Sequence, residues 1–199
     1  MTTAALARRR NYHVGNVRGQ LLAAARELLE TQGIEALSLR AIAVRAGVAP
    51  GTVYYHYADK AALMGGLAVD GFRQLTEAMR EAYGRRGEAS GLRSTGDAFL
   101  NFLREKPALY QLMYEARDSG RRAEVVEAEA EAFAVSRAAI MGDFAEIYPE
   151  DVARAVAEAI WAWGRGIAAV GLTRGASPEA SEEAVRSAVR GLEALVNRR

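Results

Sequence analysis

Cysteine is absent from the 199 residues, so disulfides, thiolate nucleophiles and thiolate zinc sites are all excluded, as expected of a chain from a reducing compartment. Histidine occurs only as His13 and His56, leaving almost no material for histidine-based catalysis or a metal centre. No run of eighteen apolar residues occurs, and the opening MTTAALARRR lacks the apolar stretch of a secretory signal. The expectation is a cytoplasmic protein with no membrane partner. Phosphate loops, nucleophile elbows and metal-ligand spacings are missing too, and no enzymatic activity or cofactor is expected. Proline is scarce, at 50, 107, 149 and 178 only, and each is followed by residues that read as a helix start.

What is present is apolar residue in helical spacing. Half of the chain is apolar, enough for a sizeable core. Charge is nearly balanced overall, yet residues 1–60 carry eight Lys or Arg against four Asp or Glu, while the remainder carries 18 against 21. A small basic part beside a mildly acidic body suits a protein that meets a polyanion with one end, although chance gives the same asymmetry.

The periodicity predicts a first helix over residues 17–31, with Leu21, Ala25, Leu28 and Leu29 on one side and Gly33 after its end. Ser38 caps a short second helix through Ala46, Gly47 ends it, and Pro50 opens a third that runs only to about Tyr57. Asp59 caps a long fourth helix over residues 60–85. Two short helices joined by a three-residue turn containing glycine form a helix-turn-helix, whose second member enters the DNA major groove. That reading accounts for the stretch GVAPGTVYYHYADK. Tyrosine offers a hydroxyl on a stiff body, His56 and Lys60 add donors, Gly51 permits close backbone approach, and Thr52 suits base edges. Val53 and Tyr57, four apart, should face inward.

The segment LSLRAIAVRAGVAPGTVYYHYADKAAL resembles the DNA-binding part of TetR-family transcriptional regulators, and the likeness extends upstream through RRRNYHVGNVRGQLLAAARELLETQG. The resemblance implies an all-α homodimer of about nine helices per subunit, with three N-terminal helices on a double-stranded DNA operator and the rest sensing a ligand and dimerising. It implies a repressor released by a small molecule, and the aromatic positions of the second half suit a small apolar or aromatic effector. By matching positions, Gly51, Thr52 and Tyr54 would approach bases, whereas Ser38, Arg40, Tyr55, His56 and Lys60 would hold phosphates. Many relatives have serine then lysine where this chain has Ala49 and Pro50, so a side-chain cap and a cation are missing. A basic arm over residues 1–14, the helix-turn-helix unit over 15–62 and the effector and dimer unit over 63–199 follow. Arg8, Arg9 and Arg10 in the arm either thread the minor groove or belong to a solubilising tail.

Downstream, Gly65 and Gly66 read either as a hinge or as bare positions that let the first helix pack closely. Two helices meet at Pro107. The stretch IWAWGRGIAAVGL resembles a TetR subgroup with a Trp, His, Gly signature, with Trp161 and Gly166 present and Arg165 in place of the histidine. Glu124, Glu127, Glu129 and Glu131 alternate around one helix and read as a solvated face. Phe99, Phe102, Met113, Phe133 and Trp163 converge either as an effector pocket or as a filled core.

At about 100° per residue, the helix over residues 149–172 shows two apolar stripes. The bulky one, Val156, Ile160, Trp163, Ile167 and Val170, is expected to face the subunit's own core. The small one, Ala157, Gly164, Ala168 and Gly171 with Trp161 at its edge, is expected at a dimer seam with Val185, Val189 and Leu192 of a final helix over 178–196. The rival reading puts the small stripe against the core. Other functional classes remain: a helical small-molecule binder, or a DNA-binding protein without a ligand.

Overall fold

A computed structural model of the chain describes residues 17–120 and 122–171, and beyond them positions 183, 187, 190 and 191. Every regular element among the described residues is helical: α1 (Val17–Gln32), a 3-10 turn (Ile34–Ala36), α2 (Leu39–Ala46), α3 (Pro50–His56), α4 (Lys60–Gly84), α5 (Gly91–Glu105), α6 (Pro107–Gly120), α7 (Ala123–Phe144) and α8 (Glu150–Gly171). Arg8, Arg9 and Arg10, together with all of the expected final helix except positions 183, 187, 190 and 191, lie outside the described residues.

Local chemistry sets the boundaries. The Ser38 hydroxyl accepts from the Ala41 amide at 3.1 Å, and Asp59 accepts from the Ala62 amide at 2.6 Å, so α2 and α4 each start on a side-chain cap. α2 ends because Gly47 adopts φ 68, ψ 31, a left-handed conformation in which glycine has no side chain to clash. α5 is capped twice. Ser90 accepts from Arg93, and Asp143 of α7 accepts from the amides of Gly91 and Leu92 at 2.8 and 2.7 Å, which ties two helices distant in sequence.

α4 is the central post. It packs against α5, α6 and α7 along its length and meets α1 near its start. Leu63, Leu67, Phe72, Leu75 and Met79 are fully buried along it, each worth about 1.5–3 kcal/mol of burial. The same apolar cluster continues into the first three helices through Leu21, Leu29, Leu37, Ile42, Val53 and Tyr57. Buried Thr76 and Thr95 satisfy their hydroxyls on the carbonyls four residues earlier, at 2.8 Å each.

The close approaches at Gly65 and Gly66 are real, but helix α1 does not make them. A Cβ on Gly66 would lie 2.9 Å from Cε1 of Tyr57, and one on Gly65 would lie 2.7 Å from Cδ of Arg122.

The two stripes of α8 exist, and the alanines of the small one follow the rival reading, against the subunit's own core. Ala157 and Ala168 are completely buried within the subunit, and a Cβ on Gly164 would sit 3.6 Å from the Phe99 ring. The two alanines have no surface to give a second subunit, because small side chains are what let α8 lie close on its own core, while Gly164 is half-buried. Trp161 follows them inward, half-buried, with its ring 6.3 Å from Phe99 and 5.5 Å from Phe133. Val152 is exposed, and Val156, Ile160 and Trp163 are half-buried, so the bulky stripe lies on the flank of α8, beside an outermost side that carries Ala155, Ala159, Ala162 and Gly166. The surroundings of Ile167, Val170, Gly171, Val185, Val189 and Leu192 lie outside what is described.

Gly66→Ala should destabilise the fold by about 1–3 kcal/mol, because the obstructing atom belongs to a buried, stiff ring. Gly65→Ala meets only a flexible arginine stem and gains helix propensity, so it should stay within about 1 kcal/mol of the parent. Urea unfolding with unchanged m-values separates the two.

Candidate functional site

The outward surface of α2, its turn and α3 is built from the inside. Val53 is wholly buried and Tyr57 nearly so, which pins one side of α3 to the core. The Tyr57 hydroxyl meets Nε of Arg18 at 3.4 Å, and the Arg18 guanidinium lies 5.7 Å from the Tyr57 ring. α3 starts on Ala49, which is extended and gives no side-chain cap, with Pro50 in the first turn.

With Val53 and Tyr57 inward, helical geometry fixes the rest. Gly51, Tyr54 and Tyr55 form the outermost arc, Tyr54 58% and Tyr55 86% exposed. Thr52 and His56, four residues apart, are half-buried on one flank. The Tyr55 and His56 rings meet edge-on at 5.2 Å. Two large aromatic side chains held in water on a seven-residue helix contribute nothing to the core.

Ser38 and Arg40 are exposed at the start of α2. The Ser38 oxygen is engaged as a cap acceptor, and its hydrogen is still available to donate. Lys60 is exposed at the start of α4, where its ammonium reaches the Ile34 carbonyl at 3.5 Å and keeps further donors. The structure thus carries Ser38, Arg40, Gly51, Thr52, Tyr54, Tyr55, His56 and Lys60 on α2, α3 and the first residue of α4. Arg45, by contrast, is committed to Glu27 of α1 through an ion pair and a bond from its Nε. Val44, 75% exposed on the last turn of α2, was not anticipated. An apolar residue two positions from buried Ile42, and so on the opposite side of the helix, is the signal that would have found it.

The five residues expected to line an effector pocket separate. Phe99 and Phe133 meet through Trp161, which takes the place expected of Trp163. Residues two apart point about 200° away from each other on a helix, so Trp163 cannot share that side. Met113 is buried in the seam of α6 with α4, where a Cβ on Gly71 would touch its sulfur, and Phe102 is buried with the Lys106 ammonium 5.1 Å from its ring. Glu129 leaves the solvated face expected for it: it is buried and accepts from Arg117 at 2.7 Å, with Arg165 at 3.7 Å.

Two family models match the chain. The family model described as bacterial regulatory proteins, tetR family, matches residues 21–67, and one described as tetracyclin repressor-like, C-terminal domain, matches residues 92–195. The chain is 28% identical over 98 residues to an HTH-type transcriptional regulator of Bacillus subtilis (strain 168), YobS, a match spanning 49% of this chain and 51% of that protein. It is 31% identical to a protein with unknown function from Rhodococcus sp. RHA1, with a TM-score of 0.71 over 92% of this chain and 98% of that one. PfmR, a TetR-family regulator from Thermus thermophilus, shares the fold at 18% identity, with a TM-score of 0.59 over 85% of this chain and 94% of its own. The Trp, His, Gly subgroup finds no support in these matches.

Tyr55→Ala should change stability by no more than about 0.5 kcal/mol, because its side chain touches little. Val53→Ala, on the inner side of the same helix, should cost about 1–3 kcal/mol through lost burial and the cavity left. Thermal unfolding of the pair tests the orientation of α3.

Proposed function

Because the chain belongs to the tetR family of bacterial regulatory proteins, we propose that it is a dimeric repressor that grips an operator through α3 and lets go when a small molecule enters its second half. One observation supports this above the others: α3 holds Tyr54 and Tyr55 out in water beside Gly51, with its opposite side locked into the core. Gly51, Thr52 and Tyr54 would approach base edges, and Ser38, Arg40, Tyr55, His56 and Lys60 would hold phosphates on either side. Residues 15–62 would then read DNA and residues 63–199 sense ligand and dimerise.

A two-fold dimer would place two recognition helices about one DNA turn apart. The surface that suits it is the partly exposed bulky flank of α8, Val152, Val156, Ile160 and Trp163, in place of the small stripe whose alanines the subunit buries itself. None of the described helices is long and apolar enough to cross a membrane, and the reading needs none.

Selection from genomic fragments followed by affinity measurement tests the proposal. One sequence should exceed nonspecific DNA by about 10³ or more, and binding that ignores sequence would defeat it. Lys60→Ala should weaken binding to all sequences and reduce the slope of log affinity against log salt by about 1, whereas Thr52→Ala should blur discrimination at one position. For the dimer, Ile160→Glu should yield a folded monomer in sedimentation, while Ala168→Leu should destabilise the subunit itself. A wild-type dimer for Ile160→Glu would place the seam elsewhere.

A further inference from the structure

The interior between α6, α7 and α8 gathers polar side chains that neither DNA reading nor core packing uses. Each helix supplies a pair four residues apart: Tyr110 and Tyr114, Glu129 and Phe133, Trp161 and Arg165. That spacing stacks them in two tiers. In the aromatic tier, Trp161 lies 5.5 Å from Phe133 and 6.3 Å from Phe99, and Phe99 meets Tyr110 edge-on at 5.7 Å. In the charged tier, Glu129 takes Arg117 at 2.7 Å and faces Arg165 at 3.7 Å, and the Arg165 guanidinium sits 4.5 Å over the Tyr114 ring. The Tyr110 and Tyr114 rings, 4.9 Å apart, join the tiers.

Two capacities are left over. The hydroxyls of Tyr110 and Tyr114 are both buried, and neither makes a hydrogen bond of good geometry, each having only the other close by; Tyr110 as a whole is only 3% exposed. Burial pushes both phenols up, Tyr114 to about 12, so each remains a proton donor at neutral pH. The second is the Arg165 guanidinium. Arg117 is satisfied by Glu129 at 2.7 Å and by exposed Asp118 at 2.8 Å, whereas the 3.7 Å contact of Arg165 with Glu129 is too long for a hydrogen bond, which leaves its N–H groups for another acceptor. The group lacks acceptors, with donors in surplus.

We propose that this interior binds a small planar aromatic carboxylate, its oxygens accepting from Arg165 and the two tyrosine hydroxyls and its ring lying against Phe99, Phe133 and Trp161. The inference deepens the reading of this half as effector-binding and rests on it. A carboxylate offers about four acceptor sites, matching donors that one neutral oxygen would leave partly unmet. A cationic ligand would have to displace the arginines from Glu129. Leu109, the residue before Tyr110, donates its amide to Glu30 of α1 at 3.2 Å, so a ligand on Tyr110 sits one residue from a direct tie to the DNA-reading half.

The test titrates the full chain with benzoate, indole-3-carboxylate and their neutral amides, by calorimetry and by fluorescence of Trp161 and Trp163, with operator binding measured in parallel. At least one carboxylate should bind about tenfold more tightly than its amide. Tyr110→Phe should weaken that binding about tenfold and at the same time raise the unfolding temperature, since an unpaired buried hydroxyl is removed. Arg165→Gln should abolish the preference for carboxylate over amide, and Arg165→Lys should restore part of it. No carboxylate binding, equal binding of amide and acid, or a Tyr110→Phe variant of lowered unfolding temperature and unchanged affinity would each overturn the proposal, the last because the hydroxyl would then serve only the fold. Sequence-specific DNA binding without carboxylate binding overturns this inference alone. Carboxylate binding without any preferred DNA overturns the regulator reading and leaves the site standing.

Discussion

A helix of seven residues has almost no stability of its own in water, because nucleating a helical turn costs more than so few hydrogen bonds return. The position of α3 therefore depends on what its inner side touches, and chiefly on the Tyr57 ring lying on bare Gly66 of α4. Val53 fills the space behind it, and the Arg18 guanidinium sits near the outer edge of the ring. Because α4 is also the post for α5, α6 and α7, this one contact sets the angle between the exposed tyrosines and everything downstream.

Polar ties cross the same boundary at three other places. Arg26 pairs with Asp70 at 3.4 Å, Arg122 reaches Asp59 at 4.0 Å, and Glu30 accepts from the first turn of α6. Partial burial raises the Glu30 carboxyl above its usual range, while the Leu109 amide and the Lys106 charge pull it back. Half-exposed ion pairs contribute about 0–1 kcal/mol each, so these ties direct the halves more than they bind them. The apolar seat supplies the strength and the ion pairs supply the bearing.

Most of the first sixty residues was legible because their signals are local. A Ser cap, a left-handed glycine and a proline at the first helical position each act within three residues, and the boundaries of α1, α2 and α3 follow to within a residue or two. Periodicity likewise separated the two stripes of α8. It could not say which faced inward, because both are apolar and close packing rewards small side chains as readily as large ones. The same limit hid the Trp161 cluster: two tryptophans two residues apart are equivalent in composition and opposite in direction. Glu129 was harder still. Among alternating glutamates nothing local distinguishes it, and its partners Arg117 and Arg165 come from other helices.

Glu129 also marks where the second half departs from simple packing. Burying the Glu129 carboxylate costs several kcal/mol, while Arg117 and Arg165 stay partly in water, and an apolar side chain of similar volume in such a place often stabilises a fold. Thr76 and Thr95 show that this chain can bury polar groups without such expense, each closing its bond within its own helix. The Glu129 group does the opposite: it draws charges from three helices and leaves two phenol hydroxyls beside them with no well-formed hydrogen bond. A domain that served only to hold α4 upright would gain from Leu or Met at those positions. Their chemistry is better matched to something that comes and goes, since a ligand that pairs the hydroxyls and the Arg165 donors favours whichever arrangement of α6, α7 and α8 brings them together, by no more than its difference in affinity between arrangements.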